Sequence, residues 1–463
     1  VGSEMCIRDS SIFASNIGSE HLIGLAGAGA SSGMAMAHWE IQGWMILILG
    51  WVFVPFYSRS MVYTMPEFLE RRYNPQSRTI LSVISLVSYV LTKVAVTVYA
   101  GGLVFQQVFG IKELWGIDFF WIAAIGLVVL TALYTIFGGM KSVLYTSVLQ
   151  TPILLLGSLI ILVLGFKELG GWDEMMRVCG AVTVNDYGDT MTNLIRSNDD
   201  ANFPWLGALI GSAIIGFWYW CTDQFIVQRV LSGKNEMEAR RGTIFGAYLK
   251  LLPVFLFLIP GMIAFALHQK YIGAGGEGFL PMLENGTANA DAAFPTLVAK
   301  LLPAGVKGLV VCGILAALMS SLASLFNSSA MLFTIDFYKR FRPQTSEKKL
   351  VGIGQVATVV IVILGILWIP IMRSVGDVLY TYLQDVQSVL APGIAAAFLL
   401  GICWKRTSAQ GGMWGLISGM VIGLTRLGAK VYYSNAGEVA DSTFKYLFYD
   451  CLLYTSDAAD DLT

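Results

Sequence analysis

The chain has 463 residues, of which 56% are hydrophobic and only 13% charged, against roughly 25% charged in a soluble domain. Its mean hydropathy is +0.66. A water-soluble globule must cover itself with polar groups, so this composition excludes one and requires a polytopic protein of the lipid bilayer. The net charge of −1 leaves no polybasic face for nucleic acid. Six Cys are scattered without a CxxC pair and only three His are present, which argues against a zinc or iron–sulfur site and a disulfide scaffold.

A bilayer core about 30 Å thick takes about 20 helical residues per crossing. Apolar runs of that size predict spans at 11–36, 41–57, 78–109, 117–138, 143–166, 205–227, 242–268, 306–337, 350–371, 376–403 and 410–430. No period-2 alternation suggests a membrane barrel. The ends read as foreign: 1–10 as a leader and 451–463 (CLLYTSDAADDLT) as a tail, both resembling translated adapter read-through. The expected organisation is 11–166 as a first repeat of five helices with its first truncated, 167–204 as an extracellular loop and 205–403 as a second repeat of five. A further helix and a truncated tail fill 404–450.

Short loops 58–77, 139–142, 228–241, 338–349 and 404–409 concentrate Lys and Arg, whereas the alternate loops are sparser for their length. The basic loops therefore face the cytoplasm, as expected for a multi-pass protein of the plasma (inner) membrane. The first span is interrupted by Asn16 and Gly18, the sixth around Trp218–Gln224 (WYWCTDQ). Two broken helices five spans apart predict an all-α, five-plus-five inverted-repeat transporter fold with one further helix and a midplane site. Broken backbone in lipid is tolerated only where it lines a cavity.

The segments SIFASNIGSEHLIGLAGAGA (11–30), YTMPEFLERRY (63–73), WYWCTDQFIVQR (218–229), ALMSSLASLFNSSAMLFTIDFY (317–338) and YLQDVQSVLAPG (382–393) strongly resemble the sodium/glucose cotransporter branch of the sodium:solute symporter family. The resemblance runs from about Ser11 to Lys430. It implies a carrier rather than an enzyme, coupling Na+ to a hexose of glucose or galactose type by alternating access. One charge crossing 100 mV is worth about 2.3 kcal/mol and a tenfold sodium gradient about 1.4 kcal/mol, enough for a sugar gradient of several hundredfold.

Adjacent hydroxyls at Ser320 and Ser321 read either as back-bonding, close-packing residues or as oxygen ligands for a hard cation. The resemblance implies the second: sodium held by both serines and by the carbonyls of Ala317, Ala14 and Ile17. Glu40, Lys250, Gln384 and His21 are polar within or beside apolar spans, where such residues pair or line a cavity. With Asn16 they offer the donors and acceptors that a sugar rim needs, and Tyr219 or Trp220 an aromatic plate for its C–H face. The resemblance implies that these contact sugar, that Tyr219 stacks on it as inner gate, and that Leu25, Trp39 and Tyr380 form the outer gate. Gly216 departs from the Thr or Asn of relatives, which implies a lost hydroxyl contact and a looser claim on glucose over other hexoses or inositol. Ala323 and Ser147 lack the second-sodium ligands of two-sodium carriers, so one sodium per sugar is expected. Lys93 and Asp223 read best as a structural ion pair. The competing readings are the same fold carrying inositol or another solute, and a sugar sensor or sodium leak.

Overall fold

The computed structural model describes residues 18, 20–60, 62, 64–198, 200, 203–231, 235–283, 286–375 and 378–436. Ala14, Asn16, Ile17 and the two foreign-looking ends lie outside the described residues, as do the side chains of Ser147 and Asp385. Eight helical stretches among the described residues are long and apolar enough to cross a bilayer.

The first of these, Glu20–Ser60, divides at Gly33 into α1 (20–32) and α2 (33–60). Gly33 has φ +72° and its α-carbon faces the backbone of Met191, a position closed to any side chain. Met34 N–H donates to the Met191 carbonyl at 2.8 Å, so the turn is sealed from outside α1 and α2. A loop was expected near 37–40; the backbone there is helical instead, which sets Trp39 and Glu40 on α2.

The basic loop expected at 58–77 contains α3 (Met65–Arg72), started by Thr64 accepting from Glu67 N–H with Pro66 early in its first turn. Asn74 caps α4 (Pro75–Phe109) in the same way through Ser77 N–H. A short hairpin follows, β1 (Glu113–Leu114) and β2 (Ile117–Asp118), turned by Trp115 and Gly116 at positive φ.

Helical backbone then runs through α5 (Phe119–Leu169), across the turn expected at 139–142. A straight helix of this length would span about 75 Å, more than twice a bilayer core. Packing shows that its arms lie side by side. Leu127 of the first arm and Leu318 both meet the position a side chain at Gly101 would fill, while Ile153 of the second arm meets Gly313, little more than a turn from Leu318. The two crossings expected from the sequence are therefore the two arms of α5.

Beyond α6 (Trp172–Gly180), α7 (Trp205–Thr222) ends at Asp223, whose backbone is extended at φ −75°, ψ 127°, before α8 (Gln224–Leu231). The remaining helices are α9 (Glu236–Gly273), α10 (Ala293–Leu301), α11 (Ala304–Phe341), α12 (Glu347–Val375), α13 (Leu379–Cys403) and α14 (Ala409–Ala436). Gly29 of α1 abuts the Leu258 carbonyl of α9, and Gly261 of α9 abuts the Ala26 carbonyl. This reciprocal close approach, available only to small residues, brings α1 and α9 together at one level of the bundle. Three of the six wide i→i+5 turns among the described residues lie at Glu20–Leu25, Tyr89–Val94 and Phe217–Thr222. Such turns often mark functional positions, and these three carry His21, Lys93, Tyr219 and Trp220.

Candidate functional site

Glu40 on α2 is 1% exposed. An isolated carboxylate there would be unaffordable, so its partners define the site. Lys250 Nζ, from α9, lies 2.7 Å from Glu40 Oε2 and 2.7 Å from His21 Nε2 of α1. Tyr380 OH, from α13, donates to Glu40 Oε1 at 3.0 Å. Four helices thus converge on one carboxylate.

An ammonium only donates, so His21 Nε2 accepts from Lys250 and the ring proton sits on Nδ1. His21 Nε2 and Glu40 Oε2, 3.3 Å apart, are then two acceptors sharing one ammonium. Nδ1 is buried and has no partner among the described residues. Gln384, one turn along α13 from Tyr380, is likewise buried, and its Oε1 has no partner among the described residues. The cluster is internally paired yet keeps a donor and an acceptor in reserve.

The two aromatic candidates diverge. Trp220 faces the cluster, with Lys250 Nζ 5.6 Å from its ring centre. Tyr219 is turned 85° from it and faces Lys93, whose Nζ is 4.7 Å from the Tyr219 ring. Leu25, Trp39 and Tyr380 are all buried. Gly24, beside Leu25, packs on the Tyr380 ring. Tyr380 therefore combines the position expected of a gate with a hydrogen bond to the polar cluster, a role its aromatic character alone did not reveal.

On the far side of Tyr219, Lys93 Nζ pairs with Asp223 Oδ2 at 2.6 Å. Asp223 Oδ1 accepts from Tyr89 OH at 2.7 Å and from Phe225 N–H at 3.2 Å. The same break frees the Cys221 carbonyl, which accepts from Tyr57 OH at 2.8 Å. Gln224 Oε1 accepts from Met65 N–H at 2.8 Å and ties α8 to α3. Every group freed here that these bonds name is taken up by protein, as the structural reading of Lys93 and Asp223 requires.

Of the expected sodium ligands, Ala317 and Ser320 are buried on α11. Ser324 Oγ back-bonds to the Ser320 carbonyl at 2.7 Å. Ser321 Oγ is buried without a partner among the described residues, and it stands 2.6 Å from where a side chain at Gly18 would begin. An unpartnered hydroxyl oxygen against the backbone entering α1 suits a cation with oxygen ligands.

Sequence reasoning passed over Gln42. It is 8% exposed, its Oε1 is buried without a partner among the described residues, and it fills the space beside Gly216. Its one sequence signal is an amide in an apolar run two residues after Glu40. A crevice of about 730 Å³ lies elsewhere, between α5, α11 and α12. Its walls include the exposed Val129, Val351 and Val359, and the polar cluster is not part of it.

Known proteins similar to this chain are carriers. The human sodium/myo-inositol cotransporter 2 is 37% identical, with 96% of this chain and 68% of that protein aligned. The mouse sodium/glucose cotransporter 4 is 38% identical over 96% of this chain and 67% of that protein. The chain thus spans about two thirds of the length of these relatives. Its fold matches that of a Na+-coupled sialic acid symporter solved substrate-bound and outward-open, with a TM-score of 0.72 at 22% identity over 94% of this chain and 87% of that one. A nucleobase-cation-symport-1 family transporter in a closed conformation matches at 0.53 and 13% identity, over 96% of each chain. The model of the sodium:solute symporter family matches residues 6–419, and the chain belongs to that family of carriers.

Proposed function

We propose that this protein couples one sodium ion to the uptake of a hexose of glucose or galactose type by alternating access across the plasma membrane. One observation carries the substrate class: a buried, internally neutralised cluster retains the His21 Nδ1 donor and the Gln384 Oε1 acceptor beside the Trp220 ring. A ring polyol has hydroxyls that both donate and accept around its rim, and C–H faces that lie on aromatic rings. Leu25, Trp39 and Tyr380 close the site on one side and Tyr219 on the other. Sodium sits at Ser320, Ser321 and Ala317, with Ala14, Ile17 and their carbonyls completing the shell, and Asn16 adds a further sugar contact. Buried Ala323 offers no side-chain oxygen for a second ion.

myo-Inositol is the second reading, supported by relatives named as sodium/myo-inositol cotransporters. It presents the same hydroxylated six-membered ring. Uptake of labelled glucose, galactose and myo-inositol into proteoliposomes, under inward sodium or potassium, tests both. Sodium-only uptake of a hexose, lost in Gln384→Ala, supports the first reading. Uptake of inositol alone moves the assignment to the second. Binding of sugar without sodium-driven uptake of any of the three makes the protein a sensor and overturns both.

A further inference from the structure

Gly216 precedes the wide turn that carries Trp220, one helical turn before it on α7. A side chain at 216 would begin 2.5 Å from Gln42 Oε1 and 3.2 Å from Met45 Cγ, both on α2. The space beside Gly216 is therefore filled from the opposite helix, by an amide. That amide meets α7 one turn before Trp220, whose ring centre lies 5.6 Å from Lys250 Nζ, and Gly43, directly after Gln42, abuts the Lys250 side chain. Gln42 is more than nine-tenths buried, and its carbonyl oxygen has no partner among the described residues. A buried amide oxygen left without a donor is costly, so a group that arrives with the cargo is the natural partner.

We propose that Gln42 is a specificity-determining residue of the solute site, its amide oxygen accepting a hydrogen bond from one ring hydroxyl, and that residue 216 is glycine to leave room for it. This rests on the assignment of the site to a ring polyol. An acceptor demands a donor. The solute must carry O–H at that rim position, and replacement of the hydroxyl by fluorine, which can only accept, is as damaging as its removal.

The test is competition against sodium-driven uptake of the transported solute by its monodeoxy and deoxyfluoro analogues. The unsubstituted protein should show one ring position at which both analogues lose tenfold or more in affinity, as expected when a buried polar group is left unpaired. In Gln42→Met, which keeps the volume without the oxygen, the parent solute should weaken by a similar factor through KM. Maximal uptake should be preserved, and the deoxy and fluoro penalties at that one position should vanish. Gly216→Thr alone should clash with the amide and weaken uptake; in the Gln42→Ala background it should restore part of the lost affinity from the opposite helix. A purely packing role predicts that Gln42→Met leaves every discrimination ratio unchanged, and that result overturns the proposal. Failure of the unsubstituted protein to take up any hexose or inositol would instead remove the ring-polyol assignment on which it stands.

Discussion

Two lysine–carboxylate pairs lie buried on either side of the Tyr219–Trp220 step, and they are built alike up to a point. Each sets a Lys Nζ 2.6–2.7 Å from an acid oxygen, adds a Tyr hydroxyl at 2.7–3.0 Å to the other oxygen, and faces the lysine to an aromatic ring of α7. They differ in what remains. Around Asp223 the valences are closed by Tyr89 OH and by Phe225 N–H, so the pair fastens a broken helix to α4. On the Glu40 side, His21, Gln384 and Gln42 each keep a buried polar atom without a partner among the described residues. A closed network fixes backbone, whereas an open one of the same chemistry can receive a ligand.

The largest effect should come from the closed pair. Asp223→Ala leaves an unpaired buried ammonium and frees Phe225 N–H, a loss of about 3–5 kcal/mol by the precedent of broken buried pairs. We expect little folded protein to be recovered by size-exclusion chromatography in detergent. Next comes the open cluster. Glu40→Gln keeps the shape and one acceptor for Tyr380 but leaves the Lys250 charge uncompensated, with His21 still accepting from it. It should lower solute affinity by at least tenfold while leaving far more folded protein than Asp223→Ala. Equal folding defects in the two variants would remove the distinction drawn here. Smaller again is Ser321→Ala, which deletes one neutral ligand of the proposed sodium site. The sodium concentration for half-maximal uptake should rise roughly tenfold, about 1.4 kcal/mol, with solute affinity recovered at saturating sodium.

Much of this was legible in the sequence, for identifiable reasons. Apolar runs set the spans because lipid enforces them, and the polar CTDQ after an aromatic triplet marked the break at Asp223. The pairing of Glu40 with Lys250 and His21 was not legible, since it depends on the Gly29–Leu258 and Gly261–Ala26 approaches that set two helices distant in sequence at one level. The helical start at Thr64 was written as Thr-Met-Pro-Glu, a capping signal read only as a basic loop. The turn at Gly33 gave no signal of its own: its partner, Met191, lies in a polar loop about 160 residues away, and several other glycines flank it. Gln42 escaped because nothing in a sequence shows that an amide fills the space a distant glycine leaves.

A last effect, read as a pH slope rather than a loss of function, joins the loop before α10 to the start of α13. Asp291 lies between α9 and α10, 2% exposed, and both its carboxylate oxygens accept from Leu379 N–H at 3.1 Å at the start of α13. Burial pushes its carboxyl up to about 7, the bond from Leu379 pulling the other way. Gly27 of α1 closes over it, and the next residue after Leu379 is Tyr380, proposed above as part of a gate. The native state therefore holds a proton that the unfolded chain releases near the ordinary aspartate value of about 3.9. Between that value and about 7, stability falls as pH rises, because the folded form binds more protons than the unfolded one; above about 7 this contribution is flat. The melting temperature in detergent should drop by several degrees from pH 5 to pH 7.5. Asp291→Asn, which keeps an acceptor for Leu379 N–H and cannot ionise, should abolish most of that slope while retaining the cap. An unchanged slope in the variant would mean that Asp291 is ionised in the fold across this range, and that the start of α13 is held by a carboxylate rather than by a carboxylic acid.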